Sequence, residues 1–124
     1  MGVSFVDAIV IHAADLEATV AFYQAIGLPL ASESHGEGPE HYACELGGAH
    51  FAVYPAKTGG RAPGRRDAGG TLLGLRVADL EGSVDALRKV EARVIVEAES
   101  VPWGRRALVE DPDGRVIELN QSRE

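Results

Sequence analysis

The chain has 124 residues, of which 45% are hydrophobic and 25% charged, and a formal net charge of −7. This length and composition are typical of one globular domain, and the acidic balance disfavours nucleic acid and anionic membranes as partners because phosphate groups would be repelled. The sequence contains no apolar run of the roughly 18 residues that a membrane span needs and no recognisable secretory signal, so we expect a cytoplasmic protein.

Short apolar stretches bounded by turn residues predict eight strands. In chain order they cover about residues 4–12, 29–34, 40–46, 49–54, 71–77, 93–98, 105–110 and 115–120. Helical spacing of apolar residues predicts one helix after the first strand and another after the fifth. Asp15 and Asp79 are placed as N-caps of these helices, and Gly27 is typical of the end of the first one. Each half of the chain therefore reads as strand, helix and three strands.

An internal repeat supports this division. Residues 14–20 read Ala-Asp-Leu-Glu-Ala-Thr-Val and residues 78–84 read Ala-Asp-Leu-Glu-Gly-Ser-Val. We expect one domain over residues 1–124, with module one at 4–54, a linker at 55–70 and module two at 71–120. The linker is rich in glycine and basic residues. We interpret its basic side chains as exposed to solvent. The alternative is that they contact an anionic group of a ligand.

Alternate residues of a strand lie on opposite faces, so each predicted strand can be sorted by parity. One set is uniformly apolar and predicts the core: Ile9, Ile11, Phe51, Val53, Leu73, Leu75, Val77, Ile117 and Leu119. The other set mixes apolar and polar residues: Ala8, Val10, His12, His50, Ala52, Tyr54, Leu72, Gly74, Arg76, Val116, Glu118 and Asn120. Such a mixture is typical of a partly enclosed ligand cavity, with a dimer interface as the alternative.

Several motifs together resemble those of the vicinal oxygen chelate superfamily, the glyoxalase, bleomycin resistance protein and extradiol dioxygenase group. They are the Ala-Asp-Leu-Glu helix entry followed by Phe22-Tyr23, the stretch Trp103-Gly104-Arg105, and the ending Asp111-Pro112-Asp113-Gly114 through Ile117-Glu118-Leu119. The resemblance implies an α+β fold, in which two βαβββ modules form a curved, partly closed mixed sheet with helices on its outer face. It also implies a homodimer.

The resemblance further implies metal-ligand positions on the first, fourth, fifth and eighth strands. In this chain they fall on Ala8, near Ala52, on Leu72 and on Glu118. Only the last can bind a metal, so we expect no metal cofactor. An atypical site of His12, His50 and Glu118 for Fe, Mn, Zn or Ni is the alternative. Rather than binding a metal, His12 is expected to contact the substrate.

The remaining candidates concern single residues. The expected ligand-binding residues are His12, His50, Tyr54, Arg76, Trp103 and Glu118. Tyr54 and Trp103 could stack on a planar ligand, and packing at a subunit contact is the alternative for Trp103. His35 and His41 are expected to be solvated. Cys44, the only cysteine, excludes an internal disulfide and is interpreted as a packing residue rather than a nucleophile.

Three functions follow from these residues. The first is a small-molecule binding protein of the drug-resistance type, with its acidity favouring a cationic ligand. The second is a lyase, isomerase or dioxygenase of the same fold that uses the atypical metal site or Glu118 as a general base. That role assumes apolar neighbours around the Glu118 carboxyl. The third is a protein-interaction module that uses the mixed face.

Overall fold

This computed structural model describes residues 1–4, 6–34, 36–56 and 71–122. The elements in chain order are β1 (Ala8–Ala13), α1 (Leu16–Ala25), β2 (Ala31–Glu33), β3 (His41–Leu46), β4 (Ala49–Pro55), β5 (Leu73–Arg76), α2 (Leu80–Lys89), β6 (Arg93–Val101), β7 (Gly104–Glu110) and β8 (Val116–Ser122). The order of strand, helix and three strands occurs twice, which confirms the predicted α+β fold of two βαβββ modules. Of the predicted linker, residues 57–70, with Lys57, Arg61, Arg65 and Arg66, lie outside the described residues.

The strands form two four-stranded mixed sheets of equivalent order. The first sheet is β1-β4-β3-β2 and the second is β5-β8-β7-β6. In each, the first strand of the module pairs in parallel with its fourth strand, and the other pairs are antiparallel. Among the described strands the sheets do not close into a barrel, so β1 and β5 each lie at a sheet edge.

Both helices begin at the predicted aspartates. The Asp15 carboxylate accepts a hydrogen bond from the Ala18 amide at 3.1 Å, and the Asp79 carboxylate accepts one from the Gly82 amide at 3.1 Å. These bonds satisfy amides of the first helical turn that have no partner within the helix. No helix in the described ranges is long and apolar enough to cross a membrane.

The two helices end with the same hydrogen bonds but with different residues. After α1, Gly27 adopts a φ of 97°, and after α2, Glu91 adopts a φ of 62°. The following amides, of Leu28 and Ala92, donate to the carbonyls of Tyr23 and Leu87. Because left-handed backbone favours glycine, Glu91 carries backbone strain that its counterpart Gly27 avoids.

The hydrophobic core is built from the face that parity predicts. Its strand residues include Ile11, Phe51, Val53, Leu75, Ile117 and Leu119, with Ile9, Leu73 and Val77 packed against the cluster. Its helix residues include Val20, Phe22, Tyr23, Leu80, Val84 and Leu87. Cys44 packs partly buried against this core, and burial together with the Glu45 charge raises the pKa of its thiol. A raised pKa suits a packing residue and not a nucleophile.

A buried carboxylate connects the two modules. Asp111 accepts a hydrogen bond from the Tyr23 hydroxyl at 2.7 Å and another from Arg115 Nη1 at 2.9 Å. Arg115 Nη2 in turn donates to the carbonyl of His12 at 2.6 Å. Burial and, after it, the Asp111 charge raise the pKa of Tyr23 well above 10.0. The end of β1, helix α1 and the β7–β8 turn are therefore held together by one polar network.

Candidate ligand-binding site

Each sheet has one face on the core and a far face, by which we mean the face directed away from the core. In the first sheet, the strand register arranges the far-face side chains in three rows that run across the strands. The rows are Ala8, His50 and Glu45; then Val10, Ala52, Ala43 and Ala31; then His12, Tyr54, His41 and Glu33. The middle row contains three alanines and is called the alanine floor below. It lies between two rows that contain larger polar residues.

The register separates the two histidines that the alternative metal site requires. His50 pairs with Ala8, whereas His12 pairs with Tyr54. Four residues along a strand span about 13 Å, which is far beyond the distance at which two imidazoles share an ion. In the described ranges, no group of three or more His, Cys, Asp and Glu side chains could hold a metal ion. The structure therefore does not assemble His12, His50 and Glu118 as a ligand set.

One wall of the alanine floor is a row of rings. The rings of His12 and Tyr54 lie 6.2 Å apart, and those of His41 and Tyr54 stack at 4.1 Å with 9° between their planes. His41 Nε2 also lies 3.5 Å from the Glu33 carboxylate.

The expectation of a solvated His41 is wrong, because only 2% of this residue is exposed. Its position two residues before Ala43 on β3 places it on the far face, where Tyr54 covers it. Extending the parity argument back to this position would have found it. His35 lies outside the described residues.

The far face of the second sheet carries a polar network beside an exposed indole. Trp103 Nε1 donates to Asn120 Oδ1 at 2.9 Å, and Asn120 Nδ2 donates to Glu118 Oε1 at 2.8 Å. Arg106 Nη1 lies 3.9 Å from Glu118 Oε2, and its guanidinium carbon lies 5.9 Å from the Trp103 ring centre. Arg76 is the strand partner of Asn120.

Of the expected ligand-binding residues, the structure thus brings together His12 with Tyr54, and Trp103 with Glu118. Arg76 lies next to the second group, and His50 lies apart near Glu45. Sequence reasoning missed Asn120 and Arg106 as members of the network. Parity places Asn120 on this face, whereas the predicted far-face set contains no residue of β7.

The family can be assigned from the sequence match together with this fold. A model of the Glyoxalase/Bleomycin resistance protein/Dioxygenase superfamily matches residues 6–119. The chain belongs to this superfamily. No curated protein sequence matches the chain significantly.

Solved structures share the fold over nearly the whole chain. TnmS3, an antibiotic binding protein from Streptomyces sp. CB03234, is 26% identical with a TM-score of 0.66, and the match covers 98% of both chains. A glyoxalase/bleomycin resistance protein from the same strain is 24% identical with a TM-score of 0.66, covering 94% of this chain and 100% of that one. A glyoxalase-related enzyme from Fulvimarina pelagi is 20% identical with a TM-score of 0.71, covering 97% and 89%. The shared fold therefore occurs in a binding protein and in an enzyme.

The residues present do not fit the metal site of the superfamily. Ala8, Ala52 and Leu72 offer no ligand atom in their side chains. The Glu118 carboxylate is hydrogen-bonded to Asn120 and lies near the Arg106 guanidinium, whose charge disfavours a nearby cation. These polar neighbours also differ from the apolar surroundings that the general-base hypothesis assumes for Glu118.

Proposed function

We propose that this protein binds a small organic molecule on the far faces of its sheets, without the metal ion used by metal-dependent members of the superfamily. The observation that carries the proposal is the alanine floor of the first sheet between its two polar rows. The site residues of this proposal are His12, His50, Tyr54, Arg76, Trp103 and Glu118, joined by His41 and Asn120.

The alanine floor has the composition of a ligand site. Ala43 and Ala52 are 6% and 1% exposed, yet they lie away from the hydrophobic core. Their short side chains add little bulk to the far face, and the flanking rows, four residues apart along the strands, stand about 13 Å apart. Small-molecule sites are mostly apolar with a few polar groups that set orientation, and here imidazole and phenol groups serve that purpose.

Trp103 supplies an aromatic surface on the second sheet. Its side chain is fixed by the hydrogen bond to Asn120, while 53% of the residue remains exposed. A rigid, half-exposed indole favours stacking on a planar ligand. The net charge of −7 favours a cationic over an anionic ligand at long range. The antibiotic-binding activity of TnmS3 supports the same class of function at family level.

A homodimer in the cytoplasm is part of this proposal. Val10 on β1 and Leu72 beside β5 are each 49% exposed, and both lie at edge strands. Exposed apolar side chains at unpaired edges favour association with another chain. Light scattering after size exclusion should give twice the chain mass, and Leu72→Glu should shift it toward one chain. A monomeric wild-type protein across micromolar concentrations contradicts this part of the proposal.

Ligand binding can be tested with a thermal-shift screen of planar aromatic molecules, both cationic and neutral. A ligand that binds the native state raises the apparent melting temperature. Ala43→Leu fills the floor and should weaken binding by at least about tenfold, because overpacking displaces the ligand. His50→Ala should weaken it several-fold without filling the site. Ala78→Leu, the same substitution at an exposed position before α2, is the matched control.

Two results contradict the proposal. One is a broad panel in which no molecule stabilises the wild-type protein, which would favour a protein-interaction module. The other is full affinity in folded Ala43→Leu. Metal analysis of purified, unchelated protein addresses the enzyme alternative, since a stoichiometric transition metal that is lost in His50→Ala contradicts a site without metal.

A further inference from the structure

Arg106 of β7 lies on the far face of the second sheet with its hydrogen-bonding capacity unused. The next residue, Ala107, belongs to the core, and Arg106 is the strand partner of Asn120. The Arg106 side chain is only 28% exposed, yet within the described residues its guanidinium donates no hydrogen bond, and its Nε is buried. Nη1 lies 3.9 Å from Glu118 Oε2, beyond hydrogen-bond range. Because donors withheld from water without an acceptor cost free energy, a ligand that supplies an acceptor is favoured here.

A second arginine stands on the other side of Asn120. Asn120 of β8 pairs with Arg76 of β5 as well as with Arg106 of β7, so the two arginines flank it. Adjacent strands lie about 4.8 Å apart, which separates the two arginine Cα atoms by roughly 10 Å. Two side chains of this length can span such a gap. Both guanidinium groups can therefore contact one group that is placed above Asn120.

The charges around Asn120 leave one arginine in excess. Glu118 offsets Arg106 and accepts a hydrogen bond from Asn120 at 2.8 Å. Arg76 is exposed and forms no ion pair in the part of the chain that the structure describes. Glu99, the strand partner of Arg106 on β6, is exposed and hydrated. The net charge of −7 acts at longer range, where salt screens it beyond about 8 Å. At contact distance this place therefore favours an anionic group.

Trp103 adds an apolar surface beside the two arginines. Its Nε1 donates to Asn120 Oδ1, its ring centre lies 5.9 Å from the Arg106 guanidinium carbon, and 53% of the residue is exposed. Gly74 of β5 keeps the approach open, since a Cβ there would stand 3.6 Å from Glu118 Oε1 and 3.9 Å from Asn120 Nδ2. A ring stacked on the indole thus lies close to a group that Arg106 binds.

We infer that the far face of the second sheet binds a planar aromatic acid, with its carboxylate on Arg76 and Arg106 and its ring on Trp103. A planar guanidinium matches a carboxylate through paired hydrogen bonds, which are stronger than those between neutral groups. The inference rests on the proposed function, because it names the ligand class of the same site. It adds Arg106 as a specificity-determining residue.

NMR titration with 2-naphthoate at neutral pH tests the inference, with 2-naphthamide as the uncharged control of similar shape. Trp103 is the only tryptophan, so one indole N–H resonance reports on the site. We expect 2-naphthoate to shift this resonance in a saturable way and to bind at least about tenfold more tightly than 2-naphthamide, because charge-assisted hydrogen bonds are added. Equal affinity, or tighter binding of 2-naphthylmethylamine, overturns the inference and leaves the proposed function standing. Failure of the proposed function is recognised separately, by a thermal screen in which no molecule stabilises the protein.

Matched variants identify the groups that hold the carboxylate. Arg76→Gln and Arg106→Gln should each weaken 2-naphthoate binding about tenfold and leave 2-naphthamide binding nearly unchanged. Arg106→Lys keeps the charge without the planar guanidinium and should recover only part of the affinity. Arg88→Gln removes the same charge from an exposed position of α2 and should have no effect.

Arg76 is itself exposed, so Arg76→Gln keeps the test decisive even where Arg106→Gln lowers stability. Full affinity for 2-naphthoate in folded Arg76→Gln, or an equal loss in Arg88→Gln, contradicts the inference.

Discussion

The two modules share a backbone plan and differ on their far faces. Both helices start at an aspartate cap within the same repeated sequence, and both sheets have the same strand order. The far face of the first sheet carries rings around an alanine floor. The far face of the second carries Trp103 beside an amide, a carboxylate and a guanidinium. The caps and the apolar core residues are thus shared by the two modules, while the far-face residues differ between them.

Exposure differs between these faces in a way that suggests different tasks. On the first sheet, Ala52 and His41 are 1% and 2% exposed, whereas Trp103 on the second is 53% exposed. Under the proposed function, the first sheet would contact the body of the ligand and the exposed indole of the second would stack on it.

The largest expected effect comes from breaking the junction between the modules. Asp111→Ala should lower the free energy of unfolding by about 3–5 kcal/mol, because Arg115 loses its buried partner. Urea denaturation measures this loss, and Asp85→Ala, at an exposed position of α2, should leave the midpoint nearly unchanged. A small effect of Asp111→Ala means that the modules are joined by apolar packing alone.

Tyr23→Phe tests the same junction through its pH dependence. The substitution should lower stability by about 1–3 kcal/mol at neutral pH, because Asp111 loses a hydrogen-bond donor. The raised pKa of Tyr23 means that the folded protein keeps the phenol proton when the unfolded chain releases it near pH 10. This contribution is complete below pH 10 and is lost as the pH rises further. Unfolding measured up to pH 11 should therefore show a shallower alkaline decline in Tyr23→Phe, and an identical decline contradicts the assignment.

The helix caps test whether the repeated sequence is energetically equivalent in the two modules. Asp15→Ala and Asp79→Ala should each lower stability by about 1 kcal/mol, because each leaves one amide of the first turn without its acceptor. Chemical denaturation of the two variants should give similar midpoints. A clear difference between the two midpoints shows that the packing around each cap affects stability more than the repeated cap sequence does.

The smallest effects should have opposite signs at the two helix ends. Glu91→Gly should raise stability by about 0.5–1 kcal/mol by relieving the left-handed backbone, while Gly27→Ala should lower it by about 1 kcal/mol. Differential scanning calorimetry can resolve both changes. Destabilisation by Glu91→Gly indicates that contacts of the Glu91 side chain stabilise the protein by more than its backbone strain destabilises it.

Sequence reasoning predicted the fold well because its signals are local. Caps at Asp15 and Asp79, the glycine at position 27 and the apolar parity of the strands depend on neighbours along the chain. Which residues of two strands lie side by side depends instead on how the strands pair. Parity placed His12 and His50 on one face, but only the pairing of β1 with β4 shows that four residues separate them.

The parts of the candidate site that could not be predicted depend on contacts distant in sequence. The burial of His41 requires Tyr54 of the next strand, and the network around Glu118 requires Arg106 of β7. The junction of Tyr23 with Asp111 connects residues from different modules. A single sequence carries no direct signal for such pairs, because each is created by tertiary packing.

Fluorescence of Trp103 tests the central claim most directly, because it is the only tryptophan of the chain. A molecule that stabilises the protein in the thermal screen is titrated while the indole emission is recorded. We expect a saturable change in emission with the same midpoint as the stabilisation, and its loss in Ala43→Leu. Emission that stays constant while such a ligand saturates the protein contradicts a site in which both far faces take part.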